Sequence, residues 1–330
     1  MSSPLLFIHY GAPSWLRLVL ETAVRTNPEK RIFLLGDDSN RHLCPSGATH
    51  VLFEKFADRP SVREFDRVFQ PIQGRKHRYT KLGGTDFWLL FVFRRWFLMR
   101  ELLVEQDIDS FWTFDSDTLV LAPLAPREAR YAPYDCTQQC YGACLNGYVG
   151  SRDLVLRYTD AMIAQFQDET FLDSQRQRVE LEDGLSFNEM DAFSHFRDQT
   201  SLHAWHAALP LEGEAFDDAL AFHSGYEPAS RRVLDRTTVK RLWTGSAKGL
   251  FARREDEALP HRLITANMSW MPDFLYHRIA SLAVAPDEDT LIQPTRDLDL
   301  SEPFPHFLRR KAWVLQAHAQ SRLRALLKKS

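Results

Sequence analysis

Two aspartates separated by one residue, Asp115 and Asp117, stand directly after an apolar run at residues 108–114. Such a run predicts a central β-strand that is covered on both faces. Side chains two residues apart in an extended chain point to the same side, so both carboxylates would lie together at the carboxyl end of the strand. Ligand crevices of open α/β sheets lie at that end. Adjacent carboxylates repel each other, and Mg²⁺ or Mn²⁺ would relieve that repulsion and could neutralise a bound diphosphate.

A long helix is predicted immediately before this strand, from Thr85 as its N-cap to about residue 106. Apolar side chains occupy nearly its whole circumference, which is typical of a buried helix. The helix nevertheless contains Arg94 and Arg95, and neither has an obvious face toward water. A buried guanidinium needs an anion. Two kinds of anion could pair with these guanidinium groups, namely a carboxylate of the protein and a phosphate of a bound ligand.

The amino-terminal part of the chain alternates between predicted strands and helices. Strands are predicted at residues 5–9, 32–35 and 49–53. Between them, Ser14 is predicted to cap a helix that ends near Asn27, and a second helix follows at residues 62–69. This alternation predicts an α/β protein with a mainly parallel sheet.

With these features together, the chain resembles the GT-A type of glycosyltransferase, in which a metal-binding Asp-x-Asp follows an apolar strand. The resemblance implies a GT-A-like domain over residues 1–300, with a Rossmann-type, mostly parallel sheet flanked by helices. It also implies a nucleotide-sugar-binding half at residues 1–125 and an acceptor-binding half at residues 126–300. The implied activity is metal-dependent transfer of a sugar from a nucleotide diphosphate donor to a glycan, a lipid-linked molecule or another acceptor.

The resemblance assigns roles to the residues of the motif and of the helix before it. Asp117 would bind the metal, and Asp115 would contact the metal or the ribose. Either Arg94 or Arg95 would meet the donor, because family members often place an arginine about this far upstream.

Four further donor contacts follow from the same resemblance. Asp37 and Asp38 end an early predicted strand where family members contact the base and the ribose, although a helix N-cap or a turn role would also explain them. Asn146 and Gly147 stand in a segment similar to the loop that lines the donor sugar, before a helix capped by Ser151. A plain glycine turn is the alternative for that segment.

The resemblance also suggests a catalytic base and a late metal ligand. Glu189 and Asp191 lie in an acidic stretch similar to those that hold the base in inverting members, and a solvated helix face is the alternative. His223 follows a predicted strand and resembles the late histidine ligand of the metal, with His261 as the second choice. A structural histidine is the alternative for both.

Cysteine and tryptophan positions add two smaller hypotheses. Cys136, Cys140 and Cys144 recur every four residues, and we interpret them as small buried thiols because the spacing and the missing nearby histidine do not suit zinc. The candidates for stacking against a sugar ring are Trp205, Trp243 and Trp270.

Charge and the two termini bear on partners and location. The chain carries 41 basic and 44 acidic residues, a net charge of −3, so no overall field favours nucleic acid. An extension at residues 301–330 is predicted to end in a basic amphipathic helix at 306–330. This helix would either pack on the domain or lie on an anionic membrane surface. Membrane docking would suit lipid-linked or cell-envelope acceptors, as in bacterial members of the family. The beginning lacks a basic leader, so we expect a cytoplasmic protein that could be peripheral at the inner face of the membrane.

Three other functions compete with the glycosyltransferase. A haloacid-dehalogenase-type phosphatase would need Thr or Val where this chain has Leu119. A sugar-nucleotide nucleotidyltransferase would need a glycine-rich phosphate loop early in the chain. A non-catalytic sugar-nucleotide or glycan-binding protein on the same fold remains open.

Overall fold

A computed structural model describes residues 2–75, 85–229, 239–245, 248–289, 294–298 and 300. The carboxyl-terminal extension predicted at 301–330, including the amphipathic helix at 306–330, lies outside the described residues. Within the described ranges, no helix is both long enough and apolar enough to cross a membrane.

The described residues form fourteen strands and eight α-helices. In chain order, the strands are β1 (Leu5–His9), β2 (Ile32–Gly36), β3 (Ala48–Leu52), β4 (Phe111–Thr113), β5 (Thr118–Val120), β6 (Cys136–Gln139), β7 (Cys144–Val149), β8 (Ala204–His206), β9 (Glu214–Ala215), β10 (Trp243–Gly245), β11 (Leu250–Ala252), β12 (His261–Leu263), β13 (Thr265–Asn267) and β14 (Pro294–Asp297). The helices are α1 (Leu16–Thr26), α2 (Pro60–Val68), α3 (Thr85–Glu105), α4 (Glu128–Tyr131), α5 (Arg152–Gln167), α6 (Glu169–Leu181), α7 (Glu189–Gln199) and α8 (Asp273–Ala280).

The main sheet of the described chain has seven strands in the order β3-β2-β1-β4-β7-β6-β8. Strands β3, β2, β1 and β4 pair in parallel, β7 is antiparallel to both neighbours, and β8 is parallel to β6. Six strands therefore run in one direction. The order 3-2-1-4 is that of a doubly wound fold. The prediction of an α/β protein with a mostly parallel, Rossmann-like sheet is confirmed.

Apolar packing covers both faces of this sheet. In β1, Leu5 and Phe7 belong to one buried cluster, whereas Leu6 and Ile8 belong to another. Side chains alternate across a strand, so a strand that is apolar at every position must be buried on both sides. Helices α1 and α8 contribute to the first cluster, and α2, α3 and α5 contribute to the second.

Two smaller sheets complete the structure, with the orders β14-β10-β11-β12-β9 and β13-β5. The first cluster extends from Leu5 to Leu300, and the main sheet combines strands from both sides of residue 125. The predicted donor and acceptor halves therefore share one sheet and one core, and their separate functions stay predictions.

Of the three predicted helix caps, the one at Ser14 is wrong, and Thr85 is the first residue of α3. Helix α1 begins after Trp15, whereas the Ser14 hydroxyl donates to Asp273 in α8. The helix ends as predicted, with Asn27 as its C-cap. The Ser151 cap of α5 is confirmed, because its side chain accepts a hydrogen bond from the backbone of Asp153 at 3.1 Å.

Candidate functional site

The Asp-x-Asp motif lies in a tight turn between β4 and β5. The backbone N–H of Thr118 donates to the carbonyl of Asp115 at 2.9 Å, and that of Met268 donates to the carbonyl of Asp117 at 3.0 Å. The expectation of an extended chain at these aspartates is therefore wrong. Both carboxylates nevertheless line the same cavity, because the turn and the pairing of β5 with β13 hold them at the carboxyl end of β4.

This cavity has a volume of about 1180 Å³, which is above the range of about 300–1,000 Å³ for ordinary ligand pockets. It lies at the carboxyl ends of β1 and β4 and is bounded by the first turns of α3 and α7. The chain around residues 217–224 and the loop after β13 close its other side. The position matches the ligand crevice expected for a sheet of this order.

Arg95 projects from α3 into the cavity and connects two acidic residues. Its guanidinium donates to Asp115 at 2.9 Å and to Glu189 at 3.1 Å. The sequence did not distinguish Arg95 from Arg94, but the structure does. Arg94 does not line the cavity and instead pairs with Asp66 of α2 at 3.0 Å, which is the internal carboxylate considered above.

The two carboxylate oxygens of Asp117 differ in their hydrogen bonding among the described residues. Oδ2 accepts a hydrogen bond from the Ser269 hydroxyl at 2.8 Å, while Oδ1 is buried without a hydrogen-bond partner among the described residues. Burial raises the pKa of Asp117 to about 6, and the charge of Asp115 adds to that rise. An unpaired buried oxygen beside a second carboxylate is a suitable donor for a hard divalent cation.

Of the two predicted catalytic bases, only Glu189 lies in the cavity. It is the first residue of α7 and is buried, so the solvated-face alternative is wrong for this residue. Burial raises its pKa to about 7, with Arg95 opposing and Asp115 adding to the rise. Asp191 is instead held by Arg178 through two contacts of 2.9 Å and accepts the backbone N–H of Asn188, away from the cavity.

His223 lines the cavity, but it lies in a turn and not at the end of a strand as predicted. Its Nδ1 is 3.8 Å from Glu255. Across the part of the chain that the structure describes, no group of three or more His, Cys, Asp and Glu side chains is placed to hold one metal ion. The structure therefore does not bring His223 together with the two aspartates as a third ligand. His261 lies outside the cavity lining and contacts Glu257 at 2.5 Å.

The four other predicted donor contacts do not line the cavity. Asp37 accepts the backbone N–H of Gly11 at 3.0 Å, and Asp38 is exposed. Asn146 and Gly147 lie within β7, so the loop predicted for them is wrong. The reason is long-range, because this segment pairs with β4 as the antiparallel strand of the main sheet.

Among the three tryptophans considered for stacking, Trp270 alone lines the cavity. Its side chain is 45% exposed, and its φ of 69° is in the left-handed region. Trp243 instead packs against the guanidinium groups of Arg241 and Arg253, and Trp205 lies near the edge of the main sheet in β8. A φ in the left-handed region, as at Trp270, is rare for a bulky residue and tends to occur at functional sites.

The three regularly spaced cysteines are free. Cys136 and Cys144 are buried, and Cys140 lies at the cavity wall. Burial raises the pKa of Cys136 and Cys140 to about 12, so both are protonated thiols at neutral pH.

Two residues of the site were missed from the sequence. His9 ends β1, its Nδ1 is 2.7 Å from the Ser116 hydroxyl, and burial lowers its pKa to about 4, so it is neutral at pH 7. Asp218 is a buried carboxylate in the cavity wall. The end of β1 was a usable signal for His9, since parallel strands end at one edge of the sheet. Nothing local distinguishes Asp218 from its neighbour Asp217.

Comparisons with known proteins give little similarity. No family model matches the chain, and no curated protein matches it. Among solved structures, the chain is similar to a "PaToxG Glycosyltransferase", with 9% identity and a TM-score of 0.35, over 60% of this chain and 68% of that one. At this level of similarity, the function has to be inferred from the geometry of the site.

Proposed function

We propose that this chain is a metal-dependent glycosyltransferase of the GT-A type that uses a nucleotide diphosphate sugar as donor. The observation that carries the proposal is the pair Asp115 and Asp117, held in one turn at the carboxyl end of β4 and facing a cavity of about 1180 Å³. The unpaired buried oxygen of Asp117 supports a cation ligand at this position.

The residues present fit Mg²⁺ or Mn²⁺. Magnesium in phosphate-binding sites is commonly held by one or two carboxylates together with substrate phosphates and water, so a set of three protein ligands is not required. Asp115 and Asp117 would supply the protein oxygens, and the bound cation would provide charge that balances the departing diphosphate.

Arg95 orients Asp115 and adds positive charge to the same wall. Its guanidinium is shared with Glu189, so these three side chains form one connected unit. In the proposed reaction, the acceptor attacks the anomeric carbon, the bond to the diphosphate breaks, and Glu189 takes the acceptor proton. A pKa of about 7 suits a general base at neutral pH.

Other parts of the cavity have supporting roles. His9 contacts Ser116 between the two aspartates and, being neutral, would fix the turn without adding a charge. The exposed face of Trp270 would stack on a sugar ring. A cytoplasmic location and docking of residues 306–330 on an anionic membrane stay part of this proposal, as does a role in building glycans or polysaccharides.

A screen of nucleotide diphosphate sugars tests the proposal. Thermal unfolding is measured with UDP-, GDP- and dTDP-sugars, each with and without Mn²⁺, and released nucleotide diphosphate is quantified. At a ligand concentration of about 100 times Kd, binding adds about 2.7 kcal/mol of stability. We expect stabilisation by at least one donor that requires the cation and is lost in Asp115→Ala and Asp117→Ala.

A matched control is Asp173→Asn, because Asp173 is an exposed acidic residue of α6 outside the cavity. It should behave as the wild type. Metal-dependent cleavage of a sugar nucleotide that survives both alanine changes contradicts the catalytic assignment. Donor binding without any turnover would instead favour the non-catalytic binding protein, and formation of a sugar nucleotide from a sugar phosphate would favour the nucleotidyltransferase.

A further inference from the structure

The mouth of the cavity concentrates the exposed aromatic side chains of the described chain. Every Phe, Tyr or Trp that is exposed in the described part of the chain lines this cavity, and we call these residues the aromatic rim. Its members are Tyr10, Phe87, Tyr141, Phe222 and Trp270. A clustered exposed apolar surface on a folded protein marks a binding site.

The rim has two sides. Tyr10 and Phe87 pack together with ring centroids 4.6 Å apart, at the end of β1 and the start of α3. On the other side, Tyr141 and Trp270 have φ values of 57° and 69°, and Tyr141 is 79% exposed. Both residues are held in a backbone region that bulky side chains avoid, so the fold maintains their positions against a local cost.

Asp218 lies in the wall next to this second side and is 5% exposed. One of its carboxylate oxygens has no hydrogen-bond partner among the described residues. Two neighbouring basic side chains, Lys240 and His206, lower the pKa of Asp218 against the effect of burial, which raises it. Lys240 is bound to Asp217 in a fully buried ion pair and also donates to the Ala219 carbonyl at 3.1 Å. Asp218 lies next to the rim, because the backbone of Cys140, the residue before Tyr141, is close enough to lower the pKa of this carboxyl.

The proposed donor site does not account for the Asp218 carboxylate. Among the described lining residues, four carboxylates face one guanidinium, that of Arg95. Arg95 is already shared by Asp115 and Glu189, and the proposed cation accounts for Asp115 and Asp117. The fourth carboxylate, Asp218, is therefore available to a second substrate.

We infer that the acceptor presents an organic cation, an ammonium or guanidinium group, which binds between the Asp218 carboxylate and the Tyr141 ring of the aromatic rim. The inference rests on the proposed function in identifying this molecule as the acceptor. Aromatic faces attract such cations, and a carboxylate next to them adds charge complementarity. A neutral sugar would satisfy the rings but leave the Asp218 carboxylate without a cation of its own, since Lys240, whose charge acts on it, is paired with Asp217. An anionic headgroup would be repelled by this carboxylate.

Two pairs of small probes test this directly by isothermal titration calorimetry at pH 7. The first pair is Nα-acetyl-arginine amide and Nα-acetyl-citrulline amide, in which a neutral ureido group replaces the guanidinium. The second pair is glucosamine and N-acetylglucosamine. We expect the charged member of at least one pair to bind at least tenfold more tightly, and the pair that responds distinguishes a peptide side chain from an amino sugar.

Two variants connect the preference to the residues. Asp218→Asn should reduce the binding of the charged probe to that of its neutral partner, while Asp173→Asn should leave it unchanged. Tyr141→Ala should weaken binding of the charged probe at least threefold. Because Tyr141 is exposed, this variant should fold normally, so the test remains valid even if Asp218→Asn fails to fold.

The inference is overturned if both members of each pair bind equally, if the full preference persists in Asp218→Asn, or if Tyr141→Ala binds the charged probe as tightly as the wild type does. Thermal shifts with nucleotide sugar and Mn²⁺ are recorded on the same samples. A donor shift without a cation preference removes this inference and leaves the proposed function, whereas a cation preference without any donor shift removes the proposed function.

Discussion

Replacing Glu189 by Gln should change how the stability of the cation-free protein depends on pH. Burial raises the pKa of Glu189 from 4.5 to about 7 in the folded state. The folded state therefore holds this proton more tightly than the unfolded chain does, and the stability that it contributes is present below pH 4.5 and lost as the pH rises through about 7. At about 1.36 kcal/mol per pKa unit, the whole effect is about 3 kcal/mol.

Between pH 5.5 and 8.0, about 2 kcal/mol of that loss belongs to Glu189 by the same linkage. Asp117, with a pKa of about 6, contributes a smaller loss of the same sign. Urea unfolding of wild type and Glu189→Gln at the two pH values measures the difference. We expect the wild type to lose about 2 kcal/mol more than the variant. An equal loss in both proteins refutes the reasoning, because Glu189 would then titrate at its ordinary pKa.

Three further predictions concern other buried or strained groups. Lys240→Met leaves the charge of Asp217 unpaired in the core and should cost about 3–5 kcal/mol in urea unfolding, most of which should return when Asp217→Asn is added. Trp270→Gly relieves a φ of 69° and should leave thermal stability unchanged or raised by up to about 1 kcal/mol, while calorimetry shows weaker binding of sugar nucleotide. Arg95→Met should abolish the cation-dependent thermal shift with donor, whereas Arg94→Met, which affects only the ion pair with α2, should retain it.

The sequence predicts the elements that are determined by local patterning. The strands at residues 5–9 and 32–35 and the helix from Thr85 consist of apolar runs whose length and period specify them without knowledge of the rest of the chain. Contacts distant in sequence explain the errors. The hydroxyl of Ser14 donates a hydrogen bond to Asp273 and does not cap α1. Asn146 belongs to strand β7, which pairs with β4.

The same division applies to the site. The motif Asp115 and Asp117 is recognisable because it follows a buried strand, although the chain there turns and is not extended. Arg94 and Arg95 are equivalent in sequence, and only the positions of α2 and of the motif turn separate their partners. Asp218 reaches the cavity through the fold of the second half of the chain, for which no local pattern exists.

The most direct test of a cation held by Asp115 and Asp117 is a titration of Mn²⁺ in the presence of UDP, with free Mn²⁺ followed by its electron paramagnetic resonance signal. We expect one bound Mn²⁺ per chain in the wild type and in Asp173→Asn, and an affinity at least tenfold lower in Asp117→Asn. An unchanged affinity in Asp117→Asn, or no bound Mn²⁺ in the wild type, would contradict it.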